Sequence, residues 1–360
     1  MTVDEDQTAR PAAASPELEG RLGFGAVFTR HVVAARYADG GWSGATLQPF
    51  EAISLSPASM VLHYGQAIFE GLKAFRAADG SALIFRAADC ARRFRRSAAR
   101  MGMPELPEDV FVEAVRAVVA EDVDQVPSAP GCSLYVRPVM FAAEPSLAVR
   151  ASTEYVFLVV ASPVDSFFAA GRTMIDVFAM RELIRAARGG TGDVKCAGNY
   201  AAAMVAKSAA VAQGYDEVLW LDAVEHRYVE EFGAMNCFAV TGRPDDGTAT
   251  LVTPPLAGTI LPGHTRATVL TLAARRGIPV VERPLALDEL TDPDGSVTEV
   301  FAAGTAAGIA PVRTVGGSEG VLRKLGDEPG PVTAALAADY AAVVRGAAPA
   351  EDGWLIRVPG

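Results

Sequence analysis

The chain has 360 residues, 50% hydrophobic and 21% charged, which suits two domains of ordinary size and excludes global disorder. A net charge of −11 argues against binding nucleic acid through a bulk basic field. Cys90, Cys132, Cys196 and Cys237 form no CxxC, and His31, His63, His226 and His264 are scattered, so neither a metal site nor a histidine-centred triad is expected, and the sparse thiols suit a cytoplasmic setting.

Residues 1–20 are acidic and rich in Ala and Pro, and read as a disordered leader without the basic start or apolar run of a signal peptide. No 18-residue apolar stretch follows, so no membrane span is expected. FGAVFTRHVVAARYADGGW (24–42) reads as two strands and a turn, and LQPFEAISLSP and SALIFRAADC as further short strands. Ala87–Met101 has the apolar spacing of an amphipathic helix at Ala91, Phe94 and Ala98, and a second helix is expected near 107–123. SLYVRPVMF (133–141) and EYVFLVVASPV (154–164) are strong strands. Residues 21–164 thus form a smaller N-terminal α/β domain, DSFFAAG (165–171) crosses between domains, and 172–360 forms a larger C-terminal one.

In that second part TMIDVFAM is a strand, and a glycine loop leads into an alanine-rich helix over 199–213 closed by Gly214. DEVLWLDA and HRYVEEFGAMNCFAVTG are strands around tight turns. A helix begins near His264–Thr265 and ends at Gly277, and TEVFAAGTAAGIAPV (298–312) is strand, turn, strand. The fold class is mixed α/β (α+β).

Lysine is scarce: it stands only at 73, 195, 207 and 324 among 32 basic residues. One of the four lies in GGTGDVKCAGNYAAAM (189–204), between the glycine loop and the helix. A phosphate-binding P-loop would need Gly-Lys-Ser/Thr directly before the helix, whereas Lys195 follows Val194 and precedes Cys196. The alternative is a lysine that forms a Schiff base, which needs a partly desolvated amine and close backbone approach. Lys73, Lys207 and Lys324 read as solvated surface charges, which leaves Lys195.

GGTGDVKCAGNY resembles the pyridoxal-phosphate lysine segment of the fold type IV aminotransferases, specifically the branched-chain amino-acid aminotransferases. SMVLHYGQAIFEGLKAFR (59–76), SLYVRPVMF (133–141), EVLWLDAVEHRYVEEFGAMN (217–236), LAGTILPGHTR (256–266) and EVFAAGTAAGIAPV (299–312) match the family in order and spacing, from about Phe24 to the end. The resemblance implies a two-domain architecture with pyridoxal 5'-phosphate at the domain interface. It also implies transamination between Leu, Ile or Val and 2-oxoglutarate, and a homodimer in which residues 146–149 close the partner's pocket. Alternatives within the fold type are a transaminase for D-amino acids or for specialised aromatic or unusual β-branched substrates, and an aminodeoxychorismate lyase. Outside enzymes, a protein that merely binds a phosphorylated ligand is the competing reading.

By the same resemblance Lys195 is the catalytic residue, holding the cofactor aldehyde and shuttling the substrate proton. Glu231 faces the pyridine nitrogen, and strand alternation turns Glu230 the other way. Tyr200 hydrogen-bonds the phenolate oxygen. Arg93 grips the phosphate with the amides at His264–Thr265 and the Thr305 hydroxyl. Tyr64 and Arg137 lie on the substrate carboxylate side, Phe24, Phe69 and Tyr135 wall the apolar pocket, and Ala234 and Ala306 stand on the turns beside it. Ala234, Ala148, Phe167, Ala197 and His264 depart from the residues usual in the family, which bears on pocket shape.

Overall fold

The computed structural model describes residues 22–168, 172–243 and 246–360, so the leader and part of the 165–171 crossing fall outside the described residues. The chain divides into two compact units. The first is formed by residues up to Ser166 together with Lys195–Ala197 and Val344–Gly360, the second by Phe167–Val194 and Gly198–Val343.

The first unit is built on a nine-stranded sheet. Its main path runs Leu355–Val358, Ala82–Phe85, Leu72–Arg76, Ser133–Ala142, Tyr155–Val164, His31–Ala38, Gly41–Trp42, each pair antiparallel. Period-two alternation sorts the central strand's side chains. Leu134, Val136, Met140 and Ala142 join one core with Phe94, Phe111 and Phe157, while Tyr135 and Arg137 project from the opposite face. Against the core face packs the helix Ala87–Arg100, which buries Ala87, Cys90, Ala91, Phe94 and Ala98 at helical spacing. Beside it lies the helix Glu108–Glu121, with the Phe94 and Phe111 ring centroids 5.2 Å apart.

The stretch 344–360, assigned by sequence to the C-terminal domain, instead belongs with the first unit. Leu355–Val358 pairs with Ala82–Phe85, and Trp354 packs edge-on against Phe85. A second difference concerns 24–42, where only His31–Ala38 and Gly41–Trp42 are strands.

In the second unit six strands close on themselves: Val229–Phe232, Glu217–Leu221, Ile175–Met180, Gly308–Gly317, Val297–Gly304 and Met235–Thr241, the last pairing back to the first. Inward residues Val177, Leu219, Cys237, Ala302 and Ala310 fill the ring as a dry core, which is what a small barrel requires. The helix expected over 199–213 is two helices, Ala197–Ala201 and Met204–Ala212. Between them the Ala203 N–H bonds to Tyr200 O, three residues back, and this tightened turn interrupts the α-helical ladder.

Lys73 corrects the sequence reading. It is buried, 8% exposed, on the sheet face it shares with its cross-strand partner Tyr135, and burial lowers its amine pKa to about 8. A lysine held below its unfolded value of 10.5 binds fewer protons folded than unfolded between those two limits. Stability therefore rises with pH across that window, by up to about 1.4 kcal/mol per pH unit. In denaturant titrations from pH 8 to 10.5, wild type should gain on Lys73→Met along this slope; parallel curves would mean that the amine is solvated.

Candidate active site

In the first unit five of the residues singled out by sequence meet on one sheet face. The Lys195 Nζ lies 4.8 Å from the Phe69 ring centroid, and the Arg137 guanidinium lies 4.6 Å from the same centroid and 5.2 Å from that of Tyr135. Arg137 Nη2 donates to Tyr135 Oη at 3.0 Å, and the Phe24 and Tyr135 centroids are 4.8 Å apart. Arg137 Nε is buried without a hydrogen-bond partner among the described residues. Such an atom carries a desolvation penalty that an incoming acceptor would relieve.

The backbone of Lys195 is pinned at both ends. Its N–H donates to Ser97 Oγ at 3.1 Å, and its carbonyl accepts the Phe69 N–H at 3.0 Å. Ser97 is itself held by donating to Arg93 O, so the helix that carries Arg93 also sets the lysine. Of the five arginines on the helix Ala87–Arg100, Arg93 alone is buried, while Arg92, Arg96 and Arg100 are exposed. Sequence reasoning missed its partner: Glu70 receives Arg93 Nε and Nη2 at 2.7 and 2.8 Å, a fork on a fully buried carboxylate. Tyr64 stands apart from this group. Its hydroxyl donates to Leu147 O at 2.5 Å, tying the exposed loop at 146–149 to the helix Met60–Tyr64.

The second unit holds the other residues. Glu231 Oε1 lies 2.6 Å from Arg185 Nε, and both side chains are buried. The Nε–H does not point at that oxygen, so the contact is an ion pair without a linear hydrogen bond. Asn236 Nδ2 approaches Glu231 Oε2 at 3.4 Å and donates to Leu261 O at 2.9 Å, while its Oδ1 occupies the space where a Cβ on residue 263 would fall. A side chain at 263 would displace the Asn236 amide from this position. Gly263 precedes the helix His264–Arg275, whose N-terminus has no side-chain cap and no acid in its first turn. Thr265 is buried at this end. Thr305 and Ala306 form the turn between two barrel strands, and Gly304 approaches Met235 and the Ala234 carbonyl, so the Ala234 and Thr305–Ala306 turns are neighbours. Tyr200 is half-buried in the helix Ala197–Ala201.

Glu230 does not turn away as alternation predicts. Leu219 pairs with Phe232 and Leu221 with Val229, so an advance of two residues on one strand faces three on the other, and the strand bulges at Glu230–Glu231. Glu230 is buried. Burial raises its pKa, opposed by the Thr259 hydroxyl, which donates to Oε1 at 2.5 Å, and by the charge of Arg185. Both glutamates therefore belong to one polar cluster.

The family model for amino-transferase class IV matches residues 67–315. The chain is 44% identical to the branched-chain-amino-acid aminotransferase of Mycolicibacterium smegmatis, over 99% of this chain and 98% of that one. To the Mycobacterium tuberculosis enzyme of the same name it is 46% identical, over 93% and 92%. The chain belongs to the class IV aminotransferase family. Among solved structures of this fold type, the branched-chain amino acid aminotransferase of Escherichia coli superposes with a TM-score of 0.72 at 27% identity, covering 91% of this aminotransferase and 98% of that chain. A T.th. branched-chain amino acid aminotransferase, complexed with N-(5'-phosphopyridoxyl)-L-glutamate, gives 0.71 at 29%, over 90% and 98%. Among the described residues of this aminotransferase, no helix is long and apolar enough to cross a membrane.

Proposed function

We propose that this aminotransferase moves the amino group between Leu, Ile or Val and 2-oxoglutarate, with pyridoxal 5'-phosphate as its cofactor. The observation that carries the reading is the cluster of Lys195, Phe69, Arg137, Tyr135 and Phe24, which sets one amine and one guanidinium among aromatic walls. An amine that can exchange a proton, a cation for a carboxylate and an apolar lining are what an aliphatic amino acid needs.

Three features of the chain fit the cofactor. The uncapped helix start at His264–Thr265 suits a phosphate, the buried carboxylate of Glu231 suits a protonated ring nitrogen, and Gly263 lets Asn236, which approaches Glu231, sit close to that helix start. When bound, pyridoxal phosphate supplies an electron sink for the charge left as the substrate Cα loses its proton. Lys195 Nζ is the covalent anchor and then the base at that Cα. Glu231 keeps a proton at the ring nitrogen, and Tyr200 donates to the phenolate oxygen. Arg93, oriented by Glu70, would bind the phosphate; on the second unit the 264–265 amides and the Thr305 hydroxyl would serve as phosphate donors. Arg137 orients carboxylates and Phe24, Phe69 and Tyr135 wall the side-chain pocket on the first unit, where Tyr64 holds the 146–149 loop, and Ala234 and Ala306 stand on turns of the second unit.

A homodimer is part of this reading. Leu147 and Val149 are 63% and 88% exposed on the loop held by Tyr64, and a second copy covering this loop would bury them. The four free thiols fit a cytoplasmic enzyme.

An amino-donor panel on purified protein with 2-oxoglutarate tests the assignment. Glutamate should form with Leu, Ile and Val at kcat/KM values well above those for D-alanine or aromatic donors. Preference for a D-amino acid, or pyruvate release from aminodeoxychorismate without transamination, would overturn it.

A further inference from the structure

The lysine loop and the ring-nitrogen carboxylate are far apart in sequence, yet one side chain touches the supports of both. Arg185 Nε meets Glu231 Oε1 at 2.6 Å, and its Nη2 donates to Gly192 O at 2.8 Å and also to Thr259 O. Thr259 in turn donates through its hydroxyl to Glu230. The loop is packed down on this arginine. A Cβ on Gly192 would fall 2.3 Å from Thr259 O and 2.6 Å from Ala186 Cβ, so only glycine lets the loop come this close. From Gly192 only Asp193 and Val194 intervene before Lys195. Asn199 fixes that short run by donating to Thr191 O and Val194 O at 2.7 and 3.0 Å.

We propose that Arg185 is a positioning residue for the transamination: its planar fork locks the Gly189–Val194 loop and the Glu231 carboxylate into one rigid piece. The inference rests on the proposed roles of Lys195 and Glu231. The chemistry favours arginine over lysine here, because one planar group must pair its charge with a carboxylate at Nε while its Nη2 donates to two carbonyls. A lysine at 185 would keep a charge for Glu231 but could not hold the loop carbonyls in the same geometry. The charge and the fork are therefore separable by mutation.

The test compares Arg185→Lys and Arg185→Met with wild type as holoenzymes, by backbone hydrogen exchange over 189–194 and 229–232 and by steady-state kinetics with leucine. Arg185→Met should speed exchange in both segments by about fivefold or more, because the pieces no longer brace each other. Arg185→Lys should loosen 189–194 alone. In both, kcat should fall by at least about tenfold with the leucine KM changed far less, as expected when a reacting group is misplaced. Unchanged exchange in 189–194 for both variants, or a loss confined to KM, would overturn the proposal. Wild type that exchanges as expected but does not transaminate would instead sink the functional reading and leave the brace standing, so the two failures are distinguishable. Should Arg185→Met fail to fold, Arg185→Lys alone still decides, since its exchange over 189–194 must rise.

Discussion

Lys195→Ala is expected to lower turnover by about 10,000-fold or more and to leave the cofactor bound without a covalent link. Two functions leave together: the amine that anchors the aldehyde, and the base that exchanges the proton at the substrate Cα. Neither is supplied by the groups that meet around Lys195 Nζ, which are Phe69, Tyr135 and Arg137; Lys73 shares the Tyr135 face, so Lys73→Met in the Lys195→Ala background checks that it does not substitute. The main chain should be little disturbed, since Ser97 and Phe69 hold residue 195 through backbone atoms that alanine keeps. Absorbance of the bound cofactor and single-turnover kinetics read the two losses separately. Lys207→Ala is the control: that amine pairs with Glu217 at 2.9 Å on the second unit's helix Met204–Ala212, so both properties should survive. A Lys195→Ala protein with wild-type turnover would refute the assignment.

Glu231→Gln should raise the barrier by about 2–4 kcal/mol, a kcat loss of roughly 30- to 900-fold, with cofactor affinity falling far less. The carboxylate's value lies in the transition state, where negative charge spreads toward the ring and a proton held on the nitrogen stabilises it. Glutamine preserves shape and the acceptor for Asn236, but leaves the Arg185 charge buried beside a neutral amide. That buried charge also costs stability, which denaturant unfolding of the same variant measures directly. Glu230→Gln separates the two glutamates. Burial raises the pKa of the Glu230 carboxyl, and glutamine can still accept from the Thr259 hydroxyl, so kcat should change by less than about threefold. Equal losses in the two variants would mean that the bulge, and not residue 231 alone, carries the effect.

Local periodicity made much of this fold legible. The alternation in SLYVRPVMF separates the core-facing Leu134 and Val136 from Tyr135 and Arg137, and the spacing of Ala91, Phe94 and Ala98 delineates a helix that the structure places at Ala87–Arg100. What escaped was non-local. The pairing of Leu355–Val358 with Ala82–Phe85 spans most of the chain and has no local signature. Lys73 looked solvated because alternation reports which side chains share a face, not whether that face is covered. The bulge at Glu230–Glu231 follows from register against Glu217–Leu221, which nothing within VEEF reveals.

The site was legible mainly through family motifs. Its supports were not. Glu70, Ser97, Arg185 and Asn236 hold proposed site residues through hydrogen bonds and ion pairs, Asn199 and Thr259 hold their chain neighbours, and most of the partners lie far apart in sequence. Arg185, one of three arginines in RELIRAAR, has the pattern of an ordinary surface charge until its partners are seen. Burial offers an after-the-fact signal: Arg93 is paired with a buried carboxylate from inside its helix, while Arg92 meets Asp89 at the surface. The family resemblance points to the same residue for a different reason.

The central claim is that Lys195 carries the cofactor, and Lys73 makes it contestable. Desolvation and a lowered pKa are the ordinary marks of a Schiff-base lysine, and Lys73 has both, with its amine at about 8. Borohydride reduction of the holoenzyme followed by peptide mapping decides between them, because reduction fixes the cofactor as a stable secondary amine on whichever lysine holds it. The account predicts a pyridoxyl group on Lys195, in the peptide containing GDVKCAGNY, and an unmodified Lys73. An adduct on Lys73, or on any lysine other than 195, would contradict it.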